Sequence, residues 1–410
     1  MNSDLVRVAN FGAGPSALPL SVLEEAQKGL IDFNGTGIGI AEISHRSKEF
    51  QAFVDQFEQN IRTQLDVPST HRILFTQGGG TAQFSAVVLN LLARHRLLHP
   101  NATPEETTLD YVVTGSWSKK AAEEARRIAA GHGTVRTVVD ARVYSKDGKS
   151  FDNIPPHAEF QFSPAPALIY YCENETVDGV EFAHDAASPA SFPFDRLQPA
   201  GALVPLVADY SSSFMCRPIP RLADHAVIYA GAQKNIGPAG LTILIVREDC
   251  IVDVDTAAKL GATPVPLILS YKVLADSKSL YNTPSVFAIY VAGLVLERMK
   301  RHGGLAHYEA VNKRKAEKVY AAIEEGEQKG VFRRKVQQGS ESWMNAVFEV
   351  LGEDAEKKFL EGAEKDGMKG LKGHRSVGGI RVSLYNAITE EEVDKLVAFM
   401  TQFIEDLKAV

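Results

Sequence analysis

Cysteine is scarce in this chain: three residues in 410, Cys172, Cys216 and Cys250, with no Cys-x-x-Cys pair among them. Such a set builds neither a disulfide framework nor a cysteine-rich metal site, and it suits structural thiols in a reducing compartment. Long apolar runs are missing, so no stretch reaches the length of a membrane span. Positive charge is not in excess either. Lys and Arg number 44 against 51 Asp and Glu, a formal charge of −7, and no basic stripe offsets the balance as a nucleic-acid binder would require. The opening stretch MNSDLVRVANF lacks the cationic start and apolar run of a secretory signal. The expectation is a cytoplasmic protein that meets neither membrane nor nucleic acid.

What is present is ordinary globular composition, 45% hydrophobic and 23% charged, with ample material for a large core. Short apolar runs alternate with helix-period segments over the first two thirds. Strands are predicted at Ile73–Thr76, Tyr111–Thr114, Thr134–Val139, Leu168–Cys172, Leu203–Ala208, Val227–Ala230 and Leu241–Val246. Phe84, Val87, Val88, Leu91 and Leu92 fall on one face of a helix, and a second helix is predicted over Ser118–Ala130. That alternation implies a mainly parallel sheet covered on both faces. Near residue 285 the texture changes. Helices are predicted at Val286–Arg301 and Leu305–Glu325, strands at Met344–Val350 and Gly379–Leu384, and a last helix at Thr389–Leu407. Thr389 with Glu392 makes a capping-box pattern. The tail reads as a smaller α+β domain, and the Pro-rich stretch Ser188–Pro205 as a surface excursion.

Three features could carry chemistry. Gly78-Gly79-Gly80, between a strand and its helix, allows close backbone approach at a helix N-terminus, which suits a phosphate; a plain tight turn is the alternative. No Lys-Ser/Thr follows, so it is not a P-loop, and the "GTGIGI" run at residues 35–40 has the wrong spacing for a dinucleotide loop. Asp209 closes the apolar run LVPLVA at the carboxyl end of a strand, where ligands of α/β sheets bind, although a helix N-cap would read the same. Lys234 stands in "YAGAQKNIGPAG" between two apolar strands, where a solvated turn would carry Asn, Asp or Ser. A buried amine there could form a Schiff base, Asp209 could hold a pyridine nitrogen protonated, and the glycines could take a phosphate: the parts of a pyridoxal-phosphate (PLP) site. A snorkelling surface lysine fits the same pattern equally well. His95 and His99 have metal-pair spacing without a third ligand, so no metal is expected.

Resemblance weighs between these readings. "AGAQKNIGPAG" is similar to the PLP-lysine segment of the phosphoserine aminotransferase family, in the class V group of fold-type I PLP-dependent transferases. The likeness continues in order through "NFGAGP", "SHRSKEF", "QGGGTAQFSAV", "CENETVDGVEF", "YNTPSVFAIY" and "LKGHRSVGGIR". It implies α/β architecture: a large domain (17–285) with a mainly parallel, mixed seven-stranded sheet, a small C-terminal α+β domain (286–410), and residues 1–16 packed with the small domain. It implies Lys234 as the Schiff-base lysine and proton shuttle, and Asp209 as partner of the ring nitrogen. Trp117 would stack on the ring, Thr176 would bond its hydroxyl oxygen, and Gly80, Thr81 and Gln233 would hold the phosphate. Asn282 and Thr283 would reach that phosphate from the other subunit of a homodimer. Arg381 would clamp the substrate α-carboxylate, and His45, Arg46, His374 and Arg375 would supply positive charge for its far end.

Ala13 stands where relatives often carry a serine, so a contact there would come from its backbone. Thr81 stands where relatives have arginine or cysteine, and Glu341 replaces an arginine of the family's usual "RSxMN" segment. The activity implied is transamination of 3-phosphohydroxypyruvate by L-glutamate, the middle step of serine synthesis. A serine–glyoxylate-type aminotransferase, or a catalytically silent relative acting as a binding protein, are the alternatives.

Overall fold

The computed structural model describes residues 7–197 and 203–408. The first six residues of the expected N-terminal segment, and the middle of the Ser188–Pro205 stretch, lie outside the described residues. The chain opens with β1 (Ala9–Asn10) and two helices, α1 (Leu20–Ile31) and α2 (Lys48–Gln64). Alternation then begins: β2 (His71–Thr76), α3 (Gly79–Leu98), β3 (Thr108–Val113), α4 (Ser116–Ile128), β4 (Thr134–Asp140) and β5 (Leu168–Cys172). A short hairpin, β6 (Asn174–Glu175) and β7 (Val180–Glu181), precedes β8 (Leu206–Asp209), β9 (His225–Gly231) and β10 (Thr242–Arg247).

All seven predicted strands join one seven-stranded sheet, in the order β2-β10-β9-β8-β5-β3-β4. The pairs from β9 across to β4 are parallel, and β10 runs antiparallel between β9 and β2. Side chains on both faces are apolar: Ile243 and Ile245 point into one core, Leu244 and Val246 into the other. Helix α3 covers the second core with Phe84, Val87, Val88, Leu91 and Leu92. Two strand boundaries moved for physical reasons. β8 starts at Leu206 rather than Leu203, since Pro205 has no N–H to give the ladder, and it runs on to include Asp209. β3 ends at Val113 because the Thr114 N–H turns to the Ser118 hydroxyl at the start of α4.

Two short helices, α5 (Val254–Lys259) and α6 (Tyr271–Asp276), lead to α7 (Val286–Arg301) and α8 (Gly304–Gln328). β11 (Phe332–Arg334), β12 (Asn345–Val350), α9 (Ala355–Lys365), β13 (Met368–Lys369), β14 (Ile380–Ser383) and α10 (Glu390–Lys408) follow. The order β11-β12-β14 is antiparallel. Its core takes Val319 and Ile323 of α8, Phe359 of α9 and Ile404 of α10. It also takes Ala9 and Phe11, because β1 pairs in parallel with β13. Helix α7 packs with the larger body: Tyr290 meets Phe53 of α2 at 5.4 Å, and a Cβ on Gly293 would stand 2.4 Å from that ring. Leu305 and Tyr308 also belong to that core, whereas Ala316 belongs to the smaller one. The change of core therefore falls inside α8, and the expected division at 285/286 does not coincide with it. No helix among the described residues is long and apolar enough to cross a membrane.

The capping box at α10 is formed: the Thr389 N–H donates to Glu392 Oε2 at 2.9 Å, and the Glu392 N–H to Thr389 Oγ1 at 3.2 Å. Thr389→Ala should lower the free energy of urea unfolding by about 1 kcal/mol without changing its slope. An unchanged midpoint would show that α10 is held by packing alone.

Candidate active site

Asp209 and Lys234 come from adjacent parallel strands. Asp209 is the last residue of β8, opposite Tyr229 of β9, and Lys234 lies in the turn that follows β9. Chain reversal there is tight: the Ile236 and Gly237 N–H groups both donate to the Ala232 carbonyl. The carboxylate of Asp209 is 6% exposed and accepts from the Ser211 N–H at 2.8 Å. Burial raises its pKa, against the opposing pull of Ser211, Lys234 and Tyr229. Lys234 is half-buried, and its Nζ donates to Thr176 Oγ1 at 2.7 Å. Burial lowers the amine's pKa below the usual lysine range, with Asp209 opposing. This answers what a lysine does at the rim of the sheet: its stem crosses the rim, and its amine points into a pocket with an acidic floor.

The N-terminal segment closes over the lysine's backbone. Ser16 Oγ donates to the Lys234 carbonyl, and the Ser16 N–H to the Gln233 carbonyl at 3.0 Å. Gly14, at φ +122°, leaves room for the lysine stem; a Cβ there would lie 3.2 Å from Lys234 Cγ.

One wall of the pocket is the N-terminus of α3. Gly78 and Gly79 take left-handed backbone, φ +97° and +65°, so the strand can turn straight into the helix. Gly80 and Thr81 then line the pocket beside Gln233. A Cβ on Gly80 would sit 3.6 Å from Asp209 Oδ2, filling space a ligand could use. Trp117 also lines the pocket; its ring centroid is 5.7 Å from Lys234 Nζ, and its Nε1 is buried with no hydrogen-bond partner among the described residues. Arg381 of β14 donates from Nη1 to the Thr176 carbonyl at 3.2 Å, and its Nε is buried with no hydrogen-bond partner among the described residues. An unmatched guanidinium N–H at a pocket is an offer to an acid, since carboxylates bind that fork by two bonds.

The structure does not gather every expected residue at one pocket. His374, on the loop before β14, bonds Ser376 Oγ at 2.6 Å. Burial lowers its pKa, and the charges of Arg381, Lys120 and Arg375 add to that effect, which locates a cationic patch beside Arg381. Arg375 is exposed on the same loop. His45 and Arg46 sit on the loop ahead of α2 and bond each other at 3.3 Å. Asn282 and Thr283 are exposed, with the Thr283 carbonyl taking Gln77 Nε2 at 3.0 Å. None of these six residues lines the Lys234 pocket of the same chain, and Arg381 stands beside its lining residue Thr176 rather than in the lining itself. The Ala13 carbonyl accepts from Tyr385 Oη at 3.0 Å. Glu341 pairs with Arg334, so the charge reversed at that position is matched locally.

Sequence reasoning passed over Glu175 and Asp178, although both lie in the quoted "CENETVDGVEF". Glu175 is fully buried, and Asp178 is 6% exposed. Burial raises both carboxyls, and for Glu175 the neighbouring charge of Asp178 adds to the rise. Two acids in one apolar-flanked turn were the available signal. The His95 and His99 rings lie 4.7 Å apart, tilted by 44°, burial lowers His95 to about 4, and no group of acidic, His or Cys residues among the described residues could hold a metal.

Comparisons with known proteins agree with this geometry. The family model for aminotransferase class-V matches residues 8–396. Phosphoserine aminotransferase of Ectopseudomonas mendocina is 40% identical over 397 residues, covering 97% of this chain and 98% of that one. Phosphoserine aminotransferase from Bacillus circulans subsp. alkalophilus superposes with a TM-score of 0.83 at 36% identity, over 98% of this chain and 99% of that one. The PLP-bound enzyme from Trichomonas vaginalis gives 0.82 at 34% identity, over 96% of this chain and 100% of the other. The chain belongs to the class-V aminotransferases. Within them, it falls in the phosphoserine aminotransferase family.

If the pocket lowers the Lys234 amine, NMR of reductively ¹³C-methylated lysines should show the Lys234 resonance, assigned by its loss in Lys234→Ala, titrating below the exposed ones. Asp209→Asn should move it lower still, because the carboxylate is the charge that opposes the shift. A Lys234 signal that titrates with the surface lysines would contradict the burial.

Proposed function

We propose that this chain transfers the amino group of L-glutamate to 3-phosphohydroxypyruvate, giving O-phospho-L-serine and 2-oxoglutarate, with pyridoxal 5'-phosphate as cofactor. The observation that carries it is the Lys234 amine, held at 2.7 Å by Thr176 in a pocket floored by the buried Asp209 carboxylate. The pocket's own features suit that cofactor: a flat indole face at Trp117, an acid where a ring nitrogen needs a counter-charge, and a glycine-capped helix N-terminus for a phosphate. Bound there, PLP supplies an aldehyde for the lysine and an electron sink that makes the substrate Cα–H acidic.

The residues divide the remaining work. With the cofactor bound, Asp209 would hold a proton on its ring nitrogen, Thr176 Oγ1 would bond its ring hydroxyl oxygen, and Gly80, Thr81 and Gln233 would hold its phosphate. Lys234, as a free amine with a lowered pKa, would take and return the substrate Cα proton. Arg381 takes the α-carboxylate with its unpaired Nε. His374 and Arg375 take the distal group, a γ-carboxylate from one substrate and a phosphate from the other.

Asn282, Thr283, His45 and Arg46 are assigned to the pocket of a second copy, in a two-fold dimer. Arg46, Asn282 and Thr283 are exposed on this chain and His45 is half-buried, which supports that assignment, as does exposed apolar surface elsewhere on the chain. Ile31 is 79% exposed, Leu20 50% and Ile38 46%, with Tyr281 and Phe287 also uncovered. A cytoplasmic location accords with three buried free thiols.

Screening amino donors and acceptors on purified protein tests the reaction, with glutamate and the phosphorylated keto acid expected as the preferred pair. Arg375→Leu should lower kcat/KM for phosphohydroxypyruvate by roughly two to three powers of ten, and the glutamate half-reaction less, because a phosphate carries nearly two charges. Arg381→Leu should damage both halves alike. Equal losses in Arg375→Leu would remove it as the phosphate reader.

For the dimer, inactive Lys234→Ala chains mixed with inactive Asn282→Ala/Thr283→Ala chains should regain activity. In each hybrid one site collects both lesions and the other none. Verified hybrids without recovery would mean each site is built from one chain.

A further inference from the structure

The first turn of α4 has no side-chain cap of its own, since Gly115 stands at the cap position. Its three leading N–H groups are nevertheless all taken. Ser116 N–H donates to Asp178 Oδ2 at 2.7 Å, Trp117 N–H to Glu175 Oε2 at 2.7 Å, and Ser118 N–H to Glu175 Oε1 at 2.8 Å. Ser116 Oγ adds a bond to Asp178 Oδ1 at 3.1 Å. A helix N-terminus normally borrows one such acceptor from its own cap residue. Here two buried carboxylates from a distant hairpin supply them all. Gly115 is what lets them in: a Cβ there would stand 2.3 Å from both Cγ and Cδ of Glu175. Between the two acids lies Thr176, whose hydroxyl holds Lys234 Nζ and whose carbonyl holds Arg381.

We propose that Glu175 and Asp178 are positioning residues of this enzyme: together they clamp the first turn of α4 to the β6–β7 turn, so that the Trp117 ring, the Thr176 hydroxyl and the Arg381 guanidinium are set as one rigid unit before cofactor arrives. The inference rests on the reading above that Trp117 faces the cofactor ring, but the clamp itself does not. Glu175→Gln keeps size and loses one acceptor, placing an NH₂ donor against a backbone N–H. One bond of the pair must break, and the indole is freed to rock. Asp178→Asn is milder, because its remaining oxygen can still serve the Ser116 N–H.

The chain has two tryptophans, Trp117 and Trp343. With 5-fluorotryptophan in the cofactor-free protein, Glu175→Gln should shift or broaden the Trp117 ¹⁹F resonance and leave Trp343 in place. Asp178→Asn should do the same to a smaller degree. In the same variants PLP should bind about tenfold or more weakly, with Asp178→Asn the lesser loss and Glu175→Asp restoring part of it. A changed ¹⁹F signal with unchanged PLP affinity would keep the clamp and overturn the role of Trp117 at the cofactor. An unchanged Trp117 resonance in folded Glu175→Gln overturns the clamp. Should Glu175→Gln fail to fold, Asp178→Asn decides by the same two readings, and movement of both resonances together would mark a merely global effect that also overturns it.

Discussion

Burying Asp209 and Lys234 side by side sets two opposed demands. Each group alone would shed its charge in so dry a place, the acid by gaining a proton and the amine by losing one. Each also steadies the other's charge, so their separation decides how much amine is free. Adjacent parallel strands answer this. β8 delivers the acid at its last residue, and β9 delivers the lysine a turn later, with Tyr229 paired opposite Asp209. The amine then finds Thr176 rather than the acid as its hydrogen-bond partner. A direct ion pair would have locked the lysine; a hydroxyl holds it and can be left.

Thr176 itself needs a foundation, and the base of its hairpin supplies one. Arg217, 4% exposed, reaches Glu173 and Glu181 at 2.6 Å each, one acid at either end of the β6–β7 hairpin. Glu181 also accepts from the Trp343 N–H at 2.6 Å, tying the hairpin to the segment entering β12. Such a buried triad is weak evidence for net stability, since the charges were expensive to desolvate. Its consequence is geometric. Arg217 bonds both acids and the Phe182 carbonyl, and Glu173 also accepts from Ser213 Oγ, so these bonds fix the two ends of the hairpin relative to each other, and the turn above inherits that arrangement.

Much of this was legible in sequence, and the illegible part has a common cause. All seven sheet strands and α7 read clearly, because strands buried on both faces are continuous apolar runs and α7 has nearly as apolar a texture. The Thr389–Glu392 box was readable because its partners are three residues apart. Asp209 and Lys234 stood out as polar residues closing apolar runs, though pattern alone left Lys234 undecided. Glu175 and Asp178 did not stand out, because their partners lie some 60 positions away in a helix whose start the periodicity places two residues late. The change of core within α8 was hidden for the same reason. A helix that serves two cores shows one unbroken period.

That shared helix bears on how the two bodies meet at the site. Lys315 of α8 is fully buried and donates three bonds, to the carbonyls of Leu384, Tyr385 and Ile388, at 2.9 to 3.0 Å. These carbonyls follow β14, the strand that carries Arg381. A few residues earlier on α8, Asn312 bonds the Cys216 carbonyl of the larger body at 3.1 Å and Asn386 at 2.8 Å. The Asn386 N–H in turn donates to Oδ1 of Asn235, next to Lys234, at 3.1 Å. The arginine that would read the substrate and the lysine that would act on it are thus referenced to one another by polar bonds, not by apolar contact alone. Apolar faces can slide with little loss, whereas hydrogen bonds to backbone carbonyls hold register to a fraction of an ångström. Two bodies joined this way keep the Arg381–Lys234 distance constant, which a site accepting two substrates of different length requires. Both substrates share the α-carboxylate and the reacting carbon, so that end must be rigid. On the proposed assignment, the difference between a γ-carboxylate and a phosphate would fall to the loop of His374 and Arg375, where the exposed Arg375 side chain has room to adjust.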